Sequence, residues 1–208
     1  MGSIYKVLTP SNVGSSWPAL VLLHGMGTNE EDLLPLKPYL PDNWGLITLR
    51  APYTVGPQQY QWYHLQELGK PEPNSLSSSL DLVEHFLLQL GQEVPGVDLG
   101  KVVLGGFSQG ALISGALLQR MVARGLAGTA ILSGYLPESV GLTEPLHNYP
   151  VFWGHGEEDM VLPLDWGNDG VIRLRSLGAQ VTFCTYPQMG HSVNEDELQD
   201  LSDWLQTL

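Results

Sequence analysis

One cysteine among 208 residues leaves no partner for an intrachain disulfide. That residue, Cys184, lies in the strand-like run Val181–Thr185 and reads as a buried structural thiol rather than a reactive one. Basic residues are scarce as well: nine Lys and Arg stand against 22 Asp and Glu, for a formal net charge of −13. The shortage argues against nucleic acid or an anionic membrane as partner, and the excess acid serves solubility. No apolar run approaches the roughly 20 residues that span a bilayer. The chain does not open on a basic segment followed by an apolar one, so no secretory leader is visible. Gly2 does not begin a myristoylation motif, because Lys6 stands where Ser or Thr is required. These absences lead to the expectation of a cytoplasmic protein without membrane insertion.

What is present is a chain with 43% hydrophobic residues, the length of one α/β domain spanning 1–208. Strand-like runs fall at Ala19–Leu23, Gly45–Leu49, Lys101–Leu104, Thr129–Leu132, Val151–Trp153 and Val181–Thr185. Ile4–Leu8 adds a candidate edge strand. Helical spacing appears in Glu30–Leu40, Ser77–Leu90, Gln109–Ala123, Leu164–Leu177 and Glu195–Leu205. The alternation predicts a mostly parallel sheet with helices on both faces. The acidic runs Glu30–Asp32 and Glu195–Glu197 read as first turns of helices, where the dipole favours negative charge. Asn194, with Glu197 three residues on, resembles a capping box.

Gly106-Phe107-Ser108-Gln109-Gly110 has the G-x-S-x-G form of a nucleophile elbow, a sharp strand-to-helix turn that exposes a serine hydroxyl. The pattern alone is weak, since about one random chain in five of this composition would carry it. Its surroundings decide the matter: Val102-Val103-Leu104 precedes it as a buried-strand run, and apolar residues at helical spacing follow. On this reading the flanking glycines let the backbone bend.

A serine hydroxyl needs a base, and the base needs an acid to orient it; in α/β-hydrolases they follow in the order Ser, acid, His. His191 lies beyond the last strand-like run and before the last helix, after Gly190. His24 and His155 precede glycines at strand ends and read as loop-packing residues, while His64, His85 and His147 lie outside any suitable motif. For the acid, Asp159 leads by position over Glu157 and Glu158. An oxyanion hole needs two backbone N–H groups. Gln109, directly after the serine, supplies one, and Met26 in Leu23-His24-Gly25-Met26-Gly27 is the best candidate for the other. No His, Cys and Asp cluster has metal-ligand spacing, and the chemistry calls for no cofactor.

The stretch from Ala51 to Asn74 is long, Pro-rich and aromatic, as binding loops often are. Trp62 and Tyr63 in it are candidate substrate contacts. So is Met160, since Met26, Met160 and Met189 all fall in the candidate site loops and thioethers adapt to irregular apolar ligands.

These motifs together resemble the phospholipase/carboxylesterase family of α/β-hydrolases, which includes acyl-protein thioesterases and small bacterial carboxylesterases. The likeness rests on the His24-Gly25 turn, Gly-Phe-Ser-Gln-Gly, His155-Gly156 through Asp159 to Pro163, and Gly190-His191-Ser192. It implies Ser108, Asp159 and His191 as a triad, with Met26 and Gln109 as oxyanion donors. Two departures stand out. Gly27-Thr28-Asn29 is closer to the bacterial esterase branch than the Gly-Asp of thioesterase-like members. The family's Trp-aromatic-Asp is Trp62-Tyr63-His64 here. The resemblance implies hydrolysis of small-molecule carboxylic esters of short to medium acyl length through an acyl-enzyme. A thioesterase or lysophospholipase with the same triad is the alternative, and a non-catalytic hydrolase-fold binding module is a third. Since small members of the family sometimes dimerise, a homodimer is also compatible with it.

Overall fold

The computed structural model describes residues 3–11 and 16–208; Gly2, considered above for lipidation, lies outside them. The chain begins with β1 (Tyr5–Leu8), β2 (Trp17–Leu23) and β3 (Gly45–Leu49). Two small hairpins follow, β4 (Tyr53–Gly56) with β5 (Gln59–Gln61), and β6 (Leu65–Glu67) with β7 (Lys70–Pro71). Then come α1 (Pro73–Glu93), β8 (Val97–Phe107), α2 (Gln109–Ala116), α3 (Leu118–Ala123) and β9 (Gly128–Leu132). The chain ends with β10 (Pro150–Gly156), α4 (Leu164–Ser176), β11 (Gln180–Tyr186) and α5 (Glu195–Leu205). Seven strands form one sheet in the order β1-β3-β2-β8-β9-β10-β11. All neighbours are parallel except β1, which pairs antiparallel with β3 as the edge strand.

Strands buried on both faces read as continuous apolar runs, and β3 and β9 are buried at every position. In β2, Ala19, Val21 and Leu23 point into one core with the apolar faces of α1, α2 and α4. Leu20 and Leu22 point into a second core that α5 closes with Leu201, Trp204 and Leu205. The mostly parallel sheet expected from the alternation is therefore present, with helices on both faces.

Local signals were incomplete at three places. Glu30–Leu40 is not an α-helix but a turn followed by a 3-10 segment at Leu34–Tyr39. Pro35 and Pro38 remove backbone donors from that stretch. Glu30 is not a solvated first-turn acid either: it is buried and takes a bidentate ion pair from Arg50 at 2.5 Å to each oxygen. Burial pushes the Glu30 carboxyl up, but the Arg50 guanidinium overcomes it and holds the group below the usual carboxylate range. Helix α1 starts four residues earlier than expected, because Pro73 suits a first helical position and the Glu72 side chain caps Asn74 and Ser75 N–H at 2.9 and 2.8 Å. The helix after Ser108 is interrupted at Leu117.

Helix α5 begins as expected, with the Asn194 side chain accepting from Glu197 N–H at 2.8 Å. Glu197 does not reciprocate. Its side chain is fully buried against Gly154 of β10, and among the described residues neither carboxyl oxygen has a hydrogen-bond partner. Burial, with Asp200 adding a smaller repulsion, pushes its pKa up to about 8. Cys184 is partly buried in β11, and burial pushes its thiol up, so it is a poor nucleophile.

The buried Glu197 ties stability to pH. Unfolded, the carboxyl ionises near its ordinary value of 4.5, and folded only near 8. Between those values the folded chain holds the extra proton, so this contribution is intact below about pH 4.5 and is lost as pH rises through 8. Glu197→Gln keeps the shape and cannot ionise. Its melting temperature should match wild type at about pH 4 and exceed it by at least about 4 °C at pH 8.5 in calorimetry.

Candidate active site

Ser108 sits between the end of β8 and the start of α2 with φ 55° and ψ −115°, a conformation that costs a non-glycine residue about 1–3 kcal/mol. The bend falls on the serine itself, not on its glycine neighbours, which serve close packing. A Cβ on Gly106 would lie 2.3 Å from the Gly110 carbonyl carbon, and one on Gly110 would lie 2.1 Å from the Leu23 oxygen. The turn is held by Ser108 N–H donating to Leu132 O at 3.0 Å and by Leu112 N–H donating to Ser108 O at 3.2 Å.

The three side chains singled out from the sequence meet. His191 Nε2 is 2.9 Å from Ser108 Oγ, and its Nδ1 is 2.7 Å from Asp159 Oδ2. The carboxyl oxygen can only accept from Nδ1–H in the neutral imidazole, which leaves Nε2 bare to take the serine proton. Asp159 is buried, and its other oxygen accepts from Val161 and Leu162 N–H at 2.9 and 2.8 Å, which fixes its orientation. Phe107 packs on the His191 ring, with centroids 4.9 Å apart. Glu157, the nearby competitor, instead accepts from Thr185 Oγ1 at 2.8 Å.

Met26 and Gln109 N–H have no hydrogen-bond acceptor among the described residues, whereas the neighbouring Gly27 N–H donates to Tyr60 O at 2.8 Å. Two unpaired amides from the loop after β2 and the first turn of α2 form the kind of donor pair that stabilises a developing oxyanion. The two segments approach closely at Gly25: a Cβ there would lie 3.1 Å from the Phe107 ring and 3.6 Å from the Ser108 Cβ.

The two histidines set aside as loop-packing residues are both buried and both fix site loops. His24 Nδ1–H donates to Gly25 O at 2.7 Å, and its Nε2 accepts Ala51 N–H at 3.0 Å. His155 Nε2–H donates to Leu162 O at 2.9 Å and lies 3.6 Å from Asp159 Oδ2, while its Nδ1 has no partner among the described residues. Burial pushes both pKa values below the ordinary histidine value, so both rings stay neutral at physiological pH. The signal was the His-Gly pair repeated at two strand ends.

The expected substrate contacts are corrected in part. Trp62 and Tyr63 are 0% exposed and belong to the core, so neither can touch a bound molecule without displacement. Trp62 donates its indole N–H to His24 O at 2.8 Å, and Tyr63 OH lies 3.2 Å from Tyr135 OH. Large aromatic side chains in a Pro-rich loop pack that loop down when the sheet edge beneath offers apolar surface. Met160, at 92% exposed, projects into solvent beside Asp159; Met26 is 51% exposed, and Met189 is buried. His64 sits at the surface against Tyr53, and Ser75 Oγ accepts its N–H, so the loop is anchored without the family's acid at that position.

A cleft of about 860 Å³, not foreseen from the sequence, lies between the β6–β7 turn, the segment after β9, and α4. Leu68, Tyr135, Leu136, Trp166 and Ile172 supply the apolar part of its lining and Lys70, Glu138, Asp169 and Arg173 a charged part; the triad lies outside it. Among the described residues no group of three or more His, Cys, Asp or Glu is placed to hold a metal ion, and no helix is long and apolar enough to cross a membrane.

Known proteins share this fold and sequence. The chain is 28% identical over 229 residues to acyl-protein thioesterase 1 of Candida albicans, covering 99% of this chain and 98% of that one. It is 27% identical over 203 residues to a probable carboxylesterase, SOBER1-like, of Arabidopsis thaliana, covering 89% and 77%. The crystal structure of the Bacillus cereus carboxylesterase superposes with a TM-score of 0.86 at 22% identity, covering 99% of this chain and 94% of that one. The phospholipase/carboxylesterase family model matches residues 10–208, and the chain belongs to that family of α/β-hydrolase-fold enzymes.

Proposed function

We propose that the protein is a carboxylesterase that cleaves small-molecule esters of short to medium acyl length through an acyl-enzyme. The observation that carries this reading is the unbroken relay from Ser108 Oγ through His191 to Asp159. Ser108 attacks the ester carbonyl as His191 Nε2 accepts its proton, and Asp159 stabilises the resulting imidazolium. Met26 and Gln109 N–H take the oxyanion. His191 then protonates the departing alcohol, and in the second half-reaction it draws a proton from water, which attacks the acyl-enzyme and frees the acid.

The cleft beside α4 is the proposed acyl site. Tyr135 on its wall follows three residues after Leu132, whose carbonyl holds Ser108 N–H. Trp166 is followed by Gly167, which packs directly on His155. Leu68 and Ile172 on its rim are largely exposed, so a chain lying there is covered on one side only. A fully buried methylene contributes about 0.8 kcal/mol, close to fourfold in kcat/KM. A half-covered one contributes less, and the gain stops where the cleft opens. Thioester or lysolipid cleavage by the same relay is the second reading, favoured by the acyl-protein thioesterase name of the Candida albicans relative.

Two measurements test this. Ser108→Ala should lower turnover of p-nitrophenyl butyrate by about 10⁴-fold or more while the protein stays folded; a loss under tenfold removes Ser108 from the reaction. Across p-nitrophenyl esters from acetyl to palmitoyl, kcat/KM should rise less than about fourfold per methylene and level off by about eight carbons. Trp166→Ala should flatten that rise. A rate that keeps climbing to palmitoyl, or a thioester preferred over its matched ester, replaces carboxylesterase with the second reading.

A further inference from the structure

Trp62 and the Gln109 side chain are buried away from any substrate, yet they tie together the two backbone segments that carry the unpaired Met26 and Gln109 amides. The Trp62 indole N–H donates to His24 O at 2.8 Å, two residues before Met26. Its backbone N–H donates to Gln109 Oε1 at 2.9 Å, and Gln109 Nε2 donates to Tyr63 O at 3.1 Å. The link is braced on each side. Ala51 N–H donates to His24 Nε2 at 3.0 Å, Thr28 and Tyr60 exchange a bridge, and Ser79 Oγ donates to Trp62 O. Each of these groups already has its partner inside the protein, so none is free for a ligand.

We propose that Trp62 and the Gln109 side chain are positioning residues that set the separation of the two oxyanion donors. The inference rests on the esterase reading given above. Donors 2.7–3.1 Å from the developing oxyanion lose most of their effect when misplaced, and errors near 1 Å cost about 10²-fold in rate. A single rigid residue bonded to both segments makes the spacing independent of substrate. The aromatic loop would then act on the chemistry itself, and the exposed cleft on substrate choice.

Trp62→Phe removes the indole donor and keeps a ring; Gln109→Met removes both side-chain hydrogen bonds and keeps the backbone N–H. Each variant, and the pair, would be measured for kcat and KM on p-nitrophenyl butyrate. Inhibition by a trifluoromethyl ketone, whose serine adduct carries an oxyanion, would be measured beside them. Each single variant should lose about 10- to 100-fold in kcat with KM within threefold of wild type, and ketone affinity should fall in parallel. The double variant should lose little more than either single one, because both cut one link. Ser108-dependent hydrolysis in wild type with kcat of Gln109→Met within twofold overturns the positioning role alone, as does a kcat loss with unchanged ketone affinity. No Ser108-dependent hydrolysis in wild type overturns the esterase reading and this inference together. Should Trp62→Phe fail to fold, Gln109→Met carries the same test from the other end of the link.

Discussion

The site depends on one backbone residue held where its own preferences would not leave it. Ser108 has φ 55°, and what keeps it there is contact on every side: β8 ends directly before it, α2 starts directly after it, and Leu132 O accepts its N–H. The two elbow glycines let the helix press onto the strand ends so closely that a methyl group at either would collide with main chain. Strain of this kind survives only when the surroundings over-determine it. The parallel sheet supplies them, since its strands point their carboxyl ends the same way and deliver the β2, β8, β10 and β11 loops to one edge.

Three buried acids show how differently the fold treats charge. Glu30 keeps its charge because Arg50 meets it with two hydrogen bonds, and the pair locks the segment after β2 to the end of β3. Asp159 has three donors, two of them backbone amides, so it holds the imidazole without being free to rotate. Glu197 has no partner among the described residues and is carried neutral beside the strand that leads to Asp159. Only the first two can be read as site architecture; the third ties the stability of the fold to pH.

Much of this was legible in the chain because it is written locally. Ser108, Asp159 and His191 each lie at a strand end marked by glycine, and strand ends are where a parallel sheet gathers its loops. The edge strand, the α5 cap and the sheet class were read from period and capping chemistry in the same way. What was not legible depends on contacts distant in sequence. Nothing near Glu30 announces Arg50, so an acidic run before an apolar one looked like a helix start, and Pro35 and Pro38 were the signal passed over. Nothing near Trp62 or Tyr63 says that the sheet and Gln109 will cover them. The cleft by α4 draws on residues more than a hundred positions apart and has no motif at all.

Trp62 and Tyr63 are buried, so neither ring is placed to select a substrate. An aromatic loop over a serine invites the picture of a lid gripping the substrate with its rings. Here the rings face inward: the Trp62 indole N–H is spent on His24 O, its backbone N–H on Gln109, and Tyr63 OH pairs with Tyr135 OH. A buried residue with every hydrogen bond satisfied cannot discriminate between two acyl chains, because neither chain reaches it. On the acyl site proposed above, discrimination would come from groups with surface left to bury: Leu68 and Ile172 at the cleft rim, and Met26 and Met160 in the loops beside the triad. Substitution there can change substrate range while the geometry around Ser108 stays fixed. The departure at His64 fits this division, since its ring lies at the surface and the main-chain bonds on either side of it hold the loop in place.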